Sequence, residues 1–190
     1  MSTVSAKLRE QEVRLLANLV QLSRVTLLVA EAGSGKSEVV RSGVMPLLQG
    51  ERRGEAKEVA VLLDWWKKLP LAVLNARIDD ALERIVGPAA HAIGDHASAA
   101  TLTERLAARQ QAFDCSFIII LDGFEEFLAA PADRPDTQEF EAQFIEAVNS
   151  RTLRANFLLS LDEDAAPLLA RMRERIPGLG DAQVRLPKIS

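Results

Sequence analysis

Gly33, Gly35, Lys36 and Ser37 stand together in the run Ala30-Glu31-Ala32-Gly33-Ser34-Gly35-Lys36-Ser37. Glycines without a Cβ let successive backbone N–H groups turn toward one point, a concavity that attracts an anion with several oxygens. The lysine adds a mobile cation and the serine a hydroxyl of the kind magnesium accepts. The chemistry of this run is therefore the binding of a phosphate chain with its metal. Its spacing fits the phosphate-loop pattern except at Ala30, where glycine is usual; a methyl group there is strained only if the backbone is left-handed. We expect Ala30, Glu31, Ala32, Gly33, Ser34, Gly35, Lys36 and Ser37, with Glu38 behind them, to contact a nucleoside triphosphate, ATP or GTP. Lys36 would reach the β- and γ-phosphates and Ser37 would ligate Mg2+.

Such a loop needs a carboxylate to share the metal. Phe117-Ile118-Ile119-Ile120-Leu121-Asp122 is an apolar strand ending on an acid. If that strand lies beside the first, Asp122 comes close to Ser37 at the strand C-termini, the edge where such sheets hold ligands. Gly123-Phe124-Glu125-Glu126-Phe127 follows, with acids at the third and fourth places. Glu125, and after it Glu126, is the candidate to orient or deprotonate an attacking water. The alternative is that these acids open a solvated helix, where negative charge is favourable.

The elements that must hold these groups can be read from periodicity. Leu8, Leu15, Leu16, Leu19 and Leu22 carry a helical period over residues 4–22. Apolar runs at 25–29, 59–63, 117–121 and 155–161 read as buried strands, the second ending at Asp64, Trp65 and Trp66. Helices are expected over 36–45, with Pro46 ending or kinking the first, and over 70–86, 101–113, 137–149 and 165–175. The segment 48–58 is polar and reads as an exposed connection, and 87–100 as partly irregular. Uninterrupted apolar strands alternating with helices imply an α/β fold, a three-layer sandwich with a mainly parallel central sheet and helices on both faces. One domain over 1–190 is expected.

Composition agrees. The chain has 190 residues, 48% of them hydrophobic and 26% charged, enough for a full core. A net charge of −4 offers no broad basic surface, so no nucleic-acid partner is expected. No apolar run approaches the roughly 20 residues that span a membrane, and Cys115 has no partner for an internal disulfide. The cytoplasm is the expected compartment, and a plain buried thiol the expected role of Cys115.

Three segments together resemble the bacterial P-loop NTPase domains called novel STAND NTPases: residues 27–48 (LLVAEAGSGKSEVVRSGVMPLL), residues 117–128 (FIIILDGFEEFL) and residues 156–186. The small residue after Asp122 and the acid pair beyond it belong to that resemblance. It implies an oligomerising ATP- or GTP-dependent switch joined to effector and sensor domains, with some relatives acting in antiviral defence. It also implies a C-terminal lid, which is not expected within residues 1–190. One departure stands out. After the fourth strand the family commonly presents Arg, as in Ser-Leu-Arg-Glu-Asp, where this chain has Ser160-Leu161-Asp162-Glu163-Asp164. An acid there repels a γ-phosphate, so Asp162 either points away, is compensated by a cation, or marks weakened hydrolysis; Asp164 also reads as the N-cap of the 165–175 helix.

Other residues are read as bland. His91 and His96 lack the further ligands of a metal site. One or both of Trp65 and Trp66 pack in the core, and the basic run 171–175 is a solvated face, though an arginine from it acting on a neighbouring subunit stays open. Three functions remain in competition: a signalling NTPase, a module holding nucleotide as a structural cofactor without hydrolysing it, and a conventional kinase-like enzyme.

Overall fold

The computed structural model describes residues 3–49, 52–53, 56–92 and 100–187. Its centre is a six-stranded sheet in the order β2-β3-β4-β5-β1-β6, formed by β1 (Val25–Ala30), β2 (Arg52–Arg53), β3 (Ala56–Leu63), β4 (Cys115–Asp122), β5 (Ala155–Asp162) and β6 (Ala182–Arg185). All neighbours run parallel except the short β2, which pairs antiparallel with β3.

Period-two alternation explains why both faces are covered. Leu27 and Val29 of β1, Phe117, Ile119 and Leu121 of β4, and Phe157, Leu159 and Leu161 of β5 enter one apolar cluster. The intervening Leu28, Ala30, Ile118, Ile120 and Leu158 enter a second one on the opposite face. The first cluster is closed by α4 (Pro70–Val86), α5 (Leu102–Phe113), α6 (Phe124–Ala129) and α7 (Pro135–Asn149), and the second by α1 (Thr3–Leu22) and the helical stretch 36–48. The doubly covered parallel sheet expected from the sequence is thus the fold. Thr101 caps α5 in a reciprocal capping box with Glu104, which sets where that helix starts.

Several local expectations are corrected. The stretch 36–48 is helical throughout, as α2 (Lys36–Glu38), a π-helical segment Val39–Val44 and α3 (Met45–Leu48). Pro46 therefore does not end it. Proline lacks the N–H of an α-turn, and the ladder ahead of it widens instead. Gly43 in the π segment admits Val13 of α1, whose Cγ2 would lie 2.6 Å from a Cβ at that position. The connection 48–58 is not simply exposed: Leu48 and Glu58 are buried, and Arg52–Arg53 pair with the start of β3. The expected helix 165–175 is a 3-10 segment (Glu163–Leu169) followed by the short α8 (Ala170–Arg173), because Pro167 interrupts the α-ladder. Asp164 accordingly lies inside the 3-10 segment rather than capping a helix. Strand β6 has no long apolar run and is a further element beyond the four expected strands.

Trp66 is buried among Phe124, Phe127 and Phe140, with ring centroids 5.4–5.6 Å away, whereas Trp65 is exposed. Arg171 and Arg175 are tied to Glu141 of α7. The pair His91 and His96 lies outside the described side chains. Cys115 is fully buried, and burial pushes its thiol up to about 11. A thiol reagent at mildly alkaline pH will therefore label Cys115 only with the unfolding transition; stoichiometric labelling of the native chain would contradict its placement.

Candidate functional site

The C-terminal ends of β1, β3, β4 and β5 form one edge of the sheet, and each delivers its chemistry there. Ala30 is the last residue of β1 and pairs in register with Asp162, so its backbone is extended and the missing glycine creates no strain. The loop that follows turns at Gly33 (φ +74°) and Gly35 (φ +87°), left-handed positions that favour glycine. Gly35 is the residue from which α2 starts, so the loop opens directly into a helix N-terminus. Glu31, Ala32, Gly33, Gly35 and Glu38 are exposed, Ser37 is half-buried, and Ser34 and Lys36 are buried.

The Lys36 ammonium donates to Asp162 Oδ1 across the β1–β5 seam. The Asp162 N–H in turn donates to Glu125 Oε2 at 3.3 Å. Glu125 reaches this position because α6 is pinned from behind: Phe124, Phe127 and Leu128 are buried, which leaves Glu125 turned toward the loop and Glu126 exposed to solvent. Gly123, between Asp122 and α6, sits at φ +69°, ψ +33°. A Cβ there would have room, so the left-handed backbone is what favours glycine after the aspartate.

Asp122 is only 3% exposed. Its Oδ1 accepts from Ser160 Oγ at 2.9 Å, and its backbone carbonyl accepts from Trp66 Nε1 at 2.8 Å. Its Oδ2 faces Arg41 at 3.7 Å, and Arg41 also bonds Asp64 at 2.9 Å. The strand order departs from expectation here. β4 does not lie beside β1, because β5 runs between them, and it brings Ser160 and Asp162 into the site. A further residue absent from the sequence reading is Arg9 of α1, whose guanidinium donates to the Ser34 carbonyl at 2.6 Å. Arg9 lies far upstream of the loop and only the packing of α1 brings it there; its adjacency to the loop has no local signal.

The residues fit a phosphate chain with a divalent cation. Among the described residues, nothing lies within 4 Å of a Cβ at Gly33 and only Arg9 does so at Gly35, which leaves the loop backbone open to a ligand. Ser34 Oγ is buried and has no hydrogen-bond partner among the described residues. Asp122 and the Ser37 hydroxyl are hard oxygen donors of the kind magnesium takes. A cavity of about 350 Å³ lined by Arg24, Glu58, Ser116 and Arg154 opens at the opposite edge of the sheet, where none of these groups is.

Burial raises the pKa of Glu125 above that of a free glutamate; the Asp162 charge acts the same way, while backbone hydrogen bonds and Lys36 pull it back. As a base Glu125 works only when ionised, so any turnover that depends on it will decline on the acid side at a higher pH than a free glutamate would give, which a pH–rate profile reads. For stability the sign is the reverse. The native state holds this proton more tightly than the unfolded chain, so stability falls as rising pH ionises Glu125. Glu125→Gln is thus expected to be at least as stable as wild type at neutral pH by thermal denaturation, and a clear loss of stability would contradict the placement.

Comparisons with known proteins agree with this fold. Among solved structures, the chain is similar to the Aeropyrum pernix ORC2 protein in ADPNP–ADP complexes, with TM-score 0.59, 19% identity, and coverage of 98% of this chain and 48% of that one. It is similar also to the Aeropyrum pernix ORC1 protein in complex with DNA (TM-score 0.54, 19% identity, 96% and 46% covered). A third is a Walker-type ATPase of Pyrococcus abyssi (TM-score 0.54, 15% identity, 93% and 52% covered). The chain spans about half the length of these structures, and at such identities the likeness is one of fold. The DNA in the ORC1 complex does not match the expectation of no nucleic-acid partner. No curated protein matches the sequence. No described helix is long and apolar enough to cross a membrane. A family model does match, over residues 8–190, and with its P-loop fold the chain belongs to the nucleotide-binding family Novel STAND NTPase 1.

Proposed function

We propose that this chain binds ATP with Mg2+ along residues 30–38 and hydrolyses it slowly, as the regulatory switch of a signalling or defence protein. The observation that carries this reading is the convergence of Lys36, Asp162 and Glu125 in one hydrogen-bonded chain at the strand edge, with Asp122 at the neighbouring strand end. The loop N–H groups and Lys36 hold the phosphates; Ser37 and Asp122 hold the metal, which when bound supplies charge neutralisation at the phosphate oxygens. Glu125 is assigned the orientation of water and acceptance of its proton, and Glu126, being exposed, a lesser part. Residues 1–190 would form one core domain that self-associates or joins effector and sensor domains, in the cytoplasm.

A second reading is favoured by one observation. Asp162 occupies Lys36, which suits a module that retains nucleotide without turning it over. Calorimetric titration with ATP and GTP in magnesium, alongside turnover on concentrated samples, separates the two. Binding with slow turnover that Glu125→Gln abolishes supports the switch. Binding with no turnover in wild type supports the structural module, and absence of binding by either nucleotide sinks both.

A further inference from the structure

Asp122, the carboxylate assigned to the divalent cation, already has a positive neighbour. Its Oδ1 takes the Ser160 hydroxyl, while its Oδ2 stands 3.7 Å from the Arg41 guanidinium. Arg41 comes four residues after Ser37, in the π-helical segment Val39–Val44, so the two side chains leave the same side of that stretch. The pair is uneven. Asp122 is 3% exposed and gains little from water, whereas the Arg41 side chain keeps 51% of its surface in solvent. Asp64 is the second acid that Arg41 meets. Leu63 pairs in register with Leu121, so Asp64 and Asp122 occupy adjoining strand ends. Arg41 donates to Asp64 Oδ2 at 2.9 Å, closer than it comes to Asp122, and Arg77 of α4 faces Asp64 Oδ1 at 4.0 Å.

We infer that Arg41 competes with the divalent cation for Asp122, and that Asp64, by holding Arg41, sets the magnesium concentration at which the site fills. This rests on the reading of Ser37 and Asp122 as the metal groups. A dication drawn to Asp122 Oδ2 brings two positive charges close to the guanidinium. Their repulsion, and the loss of Arg41's own attraction to Asp122, both count against the metal. Because Arg41 is half-exposed, solvent screens this cost to about fivefold in metal affinity. Asp64 works in the opposite direction. Its bond to Arg41 is in place ahead of the metal, so Arg41 can give up Asp122 and keep a carboxylate partner. Arg41 on Asp64 and the cation on Asp122 then leave neither acid unmatched. Asp64 is thus a positioning residue that acts on metal binding through Arg41.

The test is binding of a fluorescent, non-hydrolysable ATP analogue while magnesium is titrated, which gives the magnesium concentration at half effect. Wild type is compared with Arg41→Gln, Arg41→Ala, Asp64→Asn and the double variant Arg41→Gln with Asp64→Asn, thermal denaturation confirming that each is folded. Removing the Arg41 charge is expected to lower the half-effect concentration about fivefold, and Asp64→Asn to raise it about threefold. The double variant should stay within about twofold of Arg41→Gln alone, because Asp64 acts only through Arg41. A half-effect concentration within about twofold of wild type in both Arg41 variants overturns the inference. So does an Asp64→Asn effect that persists undiminished in the double variant, which would mean that Asp64 draws the metal directly. Weaker binding of the analogue to both Arg41 variants at saturating magnesium overturns it as well, by making Arg41 a phosphate contact. If Asp122→Asn keeps the wild-type magnesium effect, or wild type does not bind the analogue at all, the reading of the metal and phosphate site itself fails.

Discussion

Lys36→Ala is expected to lower nucleotide affinity at least about a hundredfold. Charge-assisted hydrogen bonds to phosphate contribute about 1.5–3 kcal/mol each, and a lysine bridging two phosphates in a buried setting makes more than one. A loss of about 3 kcal/mol is a factor of more than a hundred in the dissociation constant. The structure adds a second effect. Without Lys36 the Asp162 carboxylate is left facing the phosphates unpaired, so attraction is replaced by repulsion. The double variant Lys36→Ala with Asp162→Asn will therefore recover part of the loss, and the coupling between the sites is readable as a double-mutant cycle. The fold should tolerate the change, since Asp162 is partly exposed and can be solvated. Calorimetry with Mg-ATP and Mg-ADP decides it, with circular dichroism as the control for folding. Affinity within about threefold of wild type in Lys36→Ala would remove the loop from the functional site.

Phe144→Ala is expected to be the most damaging single change to stability. Phe144 is fully buried on α7 and meets Phe124, Phe140 and Phe157 with ring centroids 5.4–6.1 Å apart. Truncating a buried phenylalanine to alanine costs about 3–5 kcal/mol, from lost transfer energy plus the cavity left behind. For a chain of this size, that lowers the thermal midpoint by roughly 6–20 °C. Phe144→Leu refills most of the volume and should cost well under half as much. The site is affected only indirectly, through Phe124, whose packing orients Glu125. Well below the new midpoint, nucleotide binding should therefore stay near wild type while turnover falls. A midpoint shift of less than about 3 °C would show that α7 does not pack on the sheet through this ring.

The legible and illegible parts of the molecule divide along the range of the interactions involved. The four apolar strands were readable because each is buried on both faces and so is apolar at every position, a signal contained in a few neighbouring residues. Helices α4, α5 and α7 were readable from their periodicity, and the Thr101–Glu104 capping box that starts α5 is seen in the structure. By contrast, β6 is four residues long with a partly exposed pattern, and it forms only because β1 offers a parallel edge. The segment after β5 looked helical from its leucines, yet Pro167 holds it in 3-10 turns. Glu58 has the character of a surface residue, but Gln21 of α1 covers it and donates to it at 3.1 Å.

By itself the sequence determined a doubly covered parallel sheet, and it marked the run 30–37 and the strand-end Asp122 as the candidate site. Each of these depends on residue types within one contiguous stretch, where local backbone geometry and period-two burial leave few alternatives. Only the tertiary structure decided that β5 runs between β1 and β4, that Asp162 takes hold of Lys36, that Glu125 rather than Glu126 turns toward the loop, and that Arg9 reaches Ser34 from α1. Strand order and helix phase are set by how distant apolar faces pack together, and no run of neighbouring residues records that.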